Sequence, residues 1–97
     1  MIKFERDNKI MFFKDAEAVL DWMIENYDNM DEYDLLSEYS CCFPAWVNGN
    51  YSAFDILLDP VYYTYEYMYE QWKEEVLCDI RDGWFDELQI VEEQNND

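Results

Sequence analysis

Residues 15–97 carry 22 acidic side chains and only two basic ones, Lys73 and Arg81. Any fold open to such a chain must leave nearly all of that charge in water, because burying an unpaired carboxylate is heavily penalised. Self-repulsion on this scale opposes compaction and, taken alone, points to a solvated disordered tail. The apolar content argues the other way. Hydrophobic residues make up 51% of the chain and aromatics 20%, with four Trp, nine Tyr and six Phe, which is too much apolar surface to leave in water. A folded core with an acidic exterior is the expectation. The first fourteen residues reverse the balance, with Lys3, Arg6, Lys9 and Lys14 set against Glu5 and Asp7.

A chain of 97 residues is large enough for one hydrophobic core and too short for two. The pattern predicts a mostly helical α+β domain over 1–97: a basic hairpin at 1–14, an acidic helical body at 15–91 and a frayed tail at 92–97. Ile2 to Arg6 alternates apolar and polar side chains, Asp7-Asn8 interrupts, and Lys9 to Phe13 follows, which reads as a β-hairpin. Asp15 is a candidate N-cap for a helix over about 16–27, whose apolar stripe is Ala16, Val19, Leu20, Met23, Ile24 and Tyr27. The spacing predicts a second helix over Asp31 to Phe43, ended by Pro44, with a loop from Ala45 to Asn50 around the turn signal Asn48-Gly49-Asn50. Ser52 with Asp55 three residues on predicts a capped short helix through Leu58. Asp59-Pro60 predicts the start of a long acidic helix over about 60–82, closed by Gly83. Its expected inward face is Tyr62, Tyr65, Tyr69, Trp72, Val76 and Ile80. Trp84 to Val91 is read as a turn and a short C-terminal strand.

Placed on these helices, the acids form columns. Glu17, Asp21, Glu25 and Asp28 lie along one face of the first helix. Glu66, Glu70 and Glu74 form a second column on the long helix, and Glu75, Asp79 and Asp82 a third, which Asp86 extends. Like charges at such spacings each cost a helix about 0.2 to 0.5 kcal/mol, whereas alternation with Lys would have been stabilising. Asp79 and Asp82 also fall near a helix C-terminus, where the macrodipole disfavours anions. Carboxylates along a column rise roughly 6 Å per step, comparable to phosphates along a strand, and a helix of about 22 residues is roughly 33 Å long, near one turn of B-DNA. Such a surface suits a groove that neutralises phosphates with Lys and Arg. Tyr63 and Tyr67 cannot face inward with the other tyrosines, so they are expected outward beside Glu66, Glu70 and Glu74, either as contact anchors or in peripheral packing against the second helix or the loop around Trp46.

Much chemistry is missing. The chain has no histidine and only two glycines, which removes the usual general base, most catalytic zinc sites and any Gly-rich phosphate loop. Cys41, Cys42 and Cys78 lack metal-ligand spacing and read as reduced, packed thiols. The cluster Asp28, Asp31 and Asp34 lacks the glycine and terminal Glu of a calcium loop. No catalytic residue, cofactor or metal is expected. No segment reaches the roughly 20 apolar residues of a membrane span, and the alternating N-terminus has no signal-peptide character. The expected setting is the cytoplasm, that of a host cell if the gene is carried by a phage.

The segments Tyr69-Glu70-Gln71-Trp72-Lys73-Glu74-Glu75 and Trp84-Phe85-Asp86-Glu87-Leu88 interleave acids with large apolar residues. In this character, and in size, charge and helical content, the chain resembles the small DNA-mimic inhibitors of phages and mobile elements, among them Ocr-type anti-restriction proteins and acidic anti-CRISPR proteins. The resemblance implies a non-catalytic protein that occupies the DNA-binding or PAM-reading surface of a restriction nuclease or CRISPR effector. The partner is then a basic nucleic-acid-binding protein, with no direct contact to nucleic acid or membrane. A homodimer would lengthen the charged surface. The alternative class is an immunity protein or antitoxin that neutralises a basic toxin nuclease through a compact epitope.

Overall fold

The computed structural model describes residues 1–29 and 33–91. Its first elements are β1 (Ile2–Arg6) and β2 (Lys9–Phe13), paired antiparallel with Ile2 opposite Phe13 and Arg6 opposite Lys9. Asp7 and Asn8 both take positive φ, 50° and 71°, the backbone of a two-residue turn whose twist matches the strands it joins. A third strand, β3 (Leu88–Ile90), pairs with β1 on its other side, giving the order β2-β1-β3. The expected α+β class, with an N-terminal hairpin and a C-terminal strand, is what the fold shows.

Helix α1 (Ala16–Asn29) begins where Asp15 Oδ1 accepts from the Ala18 amide at 2.9 Å, which satisfies one of the orphan donors of the first turn. Its buried residues Ala16, Val19, Leu20 and Met23 are members of the expected stripe. They meet Phe4, Leu35, Leu36, Trp72, Val76, Ile80 and Phe85 in one core.

The middle of the chain departs from expectation. The helix predicted over Asp31 to Phe43 is reduced to α2 (Leu35–Glu38), capped by Asp34; residues 30–32 lie outside the described set. Ser40 turns left-handed at φ 57°. The Ser40 amide bonds to Ser37 O and the Cys41 amide to Leu36 O, the paired bonds that close a Schellman motif. Pro44 then starts a helix instead of ending one. Helix α3 (Phe43–Asn50) carries it in its first turn, where a missing N–H costs nothing, so the loop expected at Ala45 to Asn50 is helical.

Helix α4 (Ala53–Leu58) has its Ser52 cap as expected, Ser52 Oγ accepting from the Asp55 amide at 3.0 Å. The long acidic helix expected over 60–82 is not found with those bounds. Asp59 caps only a single turn, its Oδ1 accepting from the Tyr62 amide at 3.2 Å, and Thr64 then caps α5 (Tyr65–Arg81). That helix has 17 residues, roughly 25 Å in place of 33 Å. Gly83, at φ 77°, closes it as predicted, with the Gly83 amide bonded to Ile80 O and the Trp84 amide to Asp79 O. The buried face is Met68, Trp72, Val76, Leu77 and Ile80. Tyr62 and Tyr65, expected inward, are 53% and 65% exposed. Met68 and Leu77 join Trp72, Val76 and Ile80 on the buried face, while Tyr62 precedes the helix and Tyr65, in its first turn, packs on Phe43 and Tyr69 with most of its surface exposed.

Candidate acidic interface

Helices α1 and α5 pack side by side, and their acid columns meet along the seam. Glu17 and Asp21 of α1 face Glu70 and Glu74 of α5 across a groove of about 280 Å³ floored by Leu20 and Leu77. Four carboxylates share it with one ammonium, that of Lys73, which pairs with Glu70 at 3.1 Å. An ion pair this exposed stabilises little, about 0.2 to 1 kcal/mol, and leaves the groove strongly negative. Glu25 and Glu66 are exposed on the same two helices but are not part of this groove's lining. Asp28, one turn beyond Glu25, lines a separate cavity with Tyr65 and Tyr69.

The third column lies elsewhere. Glu75 follows Glu70 by five residues, roughly 140° around the helix, and so turns away from the α1 seam. There Glu75 and Asp79 line a second groove, of about 320 Å³, with Tyr39, Trp46 and Trp84. The Trp46 indole N–H donates to Glu75 Oε2 at 2.7 Å. Burial, and then the neighbouring charges of Glu75 and Asp82, push the Asp79 carboxyl above its ordinary value. Asp82 caps the end of α5 and is exposed. Asp86, also exposed, donates its amide to the Tyr39 hydroxyl at 3.3 Å. The expected acids thus form two faces separated by the outward side of α5, not one continuous surface.

The hairpin neutralises some of the remaining acids. Arg6 Nη1 lies 2.7 Å from Glu38 and 3.8 Å from Glu87. Glu87 also accepts from the Tyr39 hydroxyl at 2.6 Å. These two carboxylates tie the sheet to α2, and Glu87 is largely covered there.

Trp72 and Tyr69 face the core as expected, but the outer tyrosines are inverted. Tyr63 and Tyr67, expected outward, are half-buried in a cluster where Tyr51 packs on Tyr63 and Tyr62 packs on both Tyr63 and Tyr67. The Tyr62 and Tyr67 hydroxyls lie 3.1 Å apart. This bond, then burial, pushes the Tyr67 phenol up to about 12. Packing near Trp46, the other reading of these tyrosines, has a counterpart in the contact of Trp46 with Tyr51.

Two features had no place in the sequence reading. The first is an exposed apolar face: Phe54 is 68% exposed, Leu57 78% and Val61 86%, with Leu58 beside them, and α4 has no buried residue. Their spacing of 3, 4 and 7 is visible in the sequence, but it looks the same for a core helix and for one that waits for a partner. The second is the cavity at Asp28, walled by aromatic rings from three helices. Cys41 is half-buried in the neighbouring groove; burial first, then Asp79, pushes its thiol up to about 12, so it is a packed thiol and a poor nucleophile. Among the described residues no helix is long and apolar enough to cross a membrane.

No protein-family model matches the chain, and no curated protein or solved structure matches it either.

Proposed function

We propose that this chain is a non-catalytic inhibitor that occupies the basic nucleic-acid-binding or PAM-reading surface of a defence nuclease or CRISPR effector. The observation that carries the reading is the α1–α5 groove, where Glu17, Asp21, Glu70 and Glu74 present four carboxylates against the single cation Lys73. Apposing two like-charged columns costs folding free energy, and a surface that keeps the cost is explained by a partner rich in Lys and Arg. Such a partner would already be built to neutralise phosphates. Complementary potentials would speed the encounter and make it strongly salt-dependent.

The test is a pull-down from host lysate in low salt with the intact chain as bait. A captured basic nuclease or effector that elutes with excess duplex DNA supports the reading. Retention of the same protein by a bait carrying Glu17→Gln, Asp21→Asn, Glu70→Gln and Glu74→Gln would refute it.

The second reading, an immunity protein against a toxin nuclease, is favoured by the exposed apolar face of Phe54, Leu57, Leu58 and Val61. A contiguous exposed apolar face of this kind marks a protein-protein contact. On that reading DNA would not displace the partner, and substitutions in α4 would outweigh those in the groove.

A further inference from the structure

We propose that the aromatic cavity between α1, α3 and α5 is an arginine-binding cage, into which a basic partner inserts one guanidinium; this rests on the reading of the chain as a ligand of a nucleic-acid-binding protein. The cavity measures about 350 Å³, and its lining includes Tyr27, Asp28, Phe43, Tyr65, Tyr69 and Trp72. That lies at the lower end of the range of ligand pockets, roughly 300 to 1,000 Å³, a size for a side chain.

The walls are ordered by one another. The Tyr65 and Tyr69 rings are near parallel, 18° apart with centroids at 5.6 Å. Phe43 meets each of them edge-on at 5.3 Å and Trp72 at 5.7 Å. The indole of Trp72 is held by a 2.8 Å bond from its N–H to the Cys41 carbonyl, so the floor does not swing. Ring faces carry negative electrostatic potential and attract cations, and Asp28 adds a formal negative charge to the same cavity. An anion would be repelled by that carboxylate, and a purely apolar ligand would gain nothing from it. Tyr69 already attracts one cation from outside the cavity lining, Lys73 Nζ lying 5.3 Å from its centroid. Burial, then Tyr65, raises the Tyr69 phenol, with Asp28 and Asp21 adding to the effect. Both acids place negative potential at this ring.

Arginine fits better than lysine. Its guanidinium is planar and weakly hydrated, stacks on aromatic faces, and offers a fork to a carboxylate in the same plane. It is also a residue that surfaces evolved to hold phosphates display. The acidic groove and the cage would then read two properties of one partner, its potential and a single protruding side chain.

The experiment titrates the peptide acetyl-Gly-Arg-Gly-amide into the full chain and follows the Trp72 indole N–H and the Tyr65 and Tyr69 ring protons by NMR. Saturable shifts are expected, weakened about tenfold or more when the uncharged isostere citrulline replaces arginine. Tyr65→Ala and Asp28→Asn should each weaken binding about fivefold. Both sites are exposed, and unchanged far-UV circular dichroism checks the fold. The pair Glu17→Gln and Glu74→Gln should change the affinity by about twofold or less in physiological salt. Equal binding of the citrulline peptide, non-saturating shifts, or indifference to Tyr65→Ala would overturn the assignment. So would tighter binding of a trimethyllysine peptide, which would make the cage an alkylammonium site. If the arginine peptide binds while groove variants still compete with DNA as the parent does, the cage stands and the mimicry falls.

Discussion

The indole N–H of Trp46 donates to the Glu75 carboxylate at 2.7 Å, tying α3 to α5 across 29 positions of sequence. Glu75 was expected to belong to a free acidic column, and this bond gives it a structural task. Trp46→Phe should lower stability by about 1 kcal/mol, the net worth of one such bond, and Glu75→Ala by less, because it also relieves the repulsion with Asp79. Phe at 46 keeps packing against Phe43 and Tyr51, which Trp46 touches now. The double variant should lose little more than either single one in urea unfolding, because one interaction has been removed twice.

Asp79 sets the pH dependence on the acid side. Its folded value lies above the ordinary 3.8, so ionisation favours the unfolded chain. Stability is full below the ordinary value, falls as pH rises through the raised one, and the loss is complete by neutrality. Asp79→Asn should therefore raise Tm at neutral pH and leave it nearly unchanged in strong acid. On the alkaline side, burial and then the bond to Glu87 push Tyr39 from 10.0 up to about 12. Cys41 is moved from 9.0 up to about 12. Their contributions are full below the ordinary values and lost as pH climbs from these toward about 12. A Tm profile from acid to alkaline pH, repeated on Asp79→Asn and Tyr39→Phe, checks both limbs.

Two large apolar residues should respond in opposite ways to the same kind of change. Phe85 is fully buried, and Phe85→Ala should cost about 3 to 5 kcal/mol. Phe54 is exposed, and Phe54→Ser with Leu57→Ser should shift stability by about 0.5 kcal/mol or less. The exposed pair should instead reduce binding of a hydrophobic dye and raise solubility. Chemical denaturation and dye fluorescence separate the two effects.

Backbone conformation gives a pair of opposite sign. Gly83 sits at φ 77° and a Cβ there would meet no atom within 4 Å, so Gly83→Ala should cost about 1 kcal/mol from left-handed strain alone. Ser40 is already left-handed at φ 57°, and Ser40→Gly should stabilise by about 0.5 to 1 kcal/mol. Urea midpoints of the two variants should move apart around the parent.

What could be read from the sequence was what short-range chemistry decides. The hairpin, the Asp15 and Ser52 caps, the Gly83 stop and the C-terminal strand each rest on a few neighbouring residues, and each is present. The errors fell where one residue supports two structures. Pro44 ends one helix or begins another, and the left-handed turn at Ser40, two residues after α2, settles which. Asp59-Pro60 reads as a helix start, but α5 begins only after Thr64, which leaves Tyr62 outside the helix and Tyr65 exposed in its first turn. The acid columns were legible as spacings. That Glu70 and Glu74 meet Glu17 and Asp21, while Glu75 and Asp79 face Trp46, depends on how α1, α3 and α5 pack, and no spacing encodes that.

The central claim is tested most directly by the salt dependence of binding to the captured target, measured for the parent and for the variant neutralised at Glu17, Asp21, Glu70 and Glu74. The account predicts a steep fall in affinity with salt for the parent, competition by duplex DNA, and for the variant a shallower slope with at least about tenfold weaker binding. Equal affinity and equal slope for the two proteins, with no displacement by DNA, would contradict it.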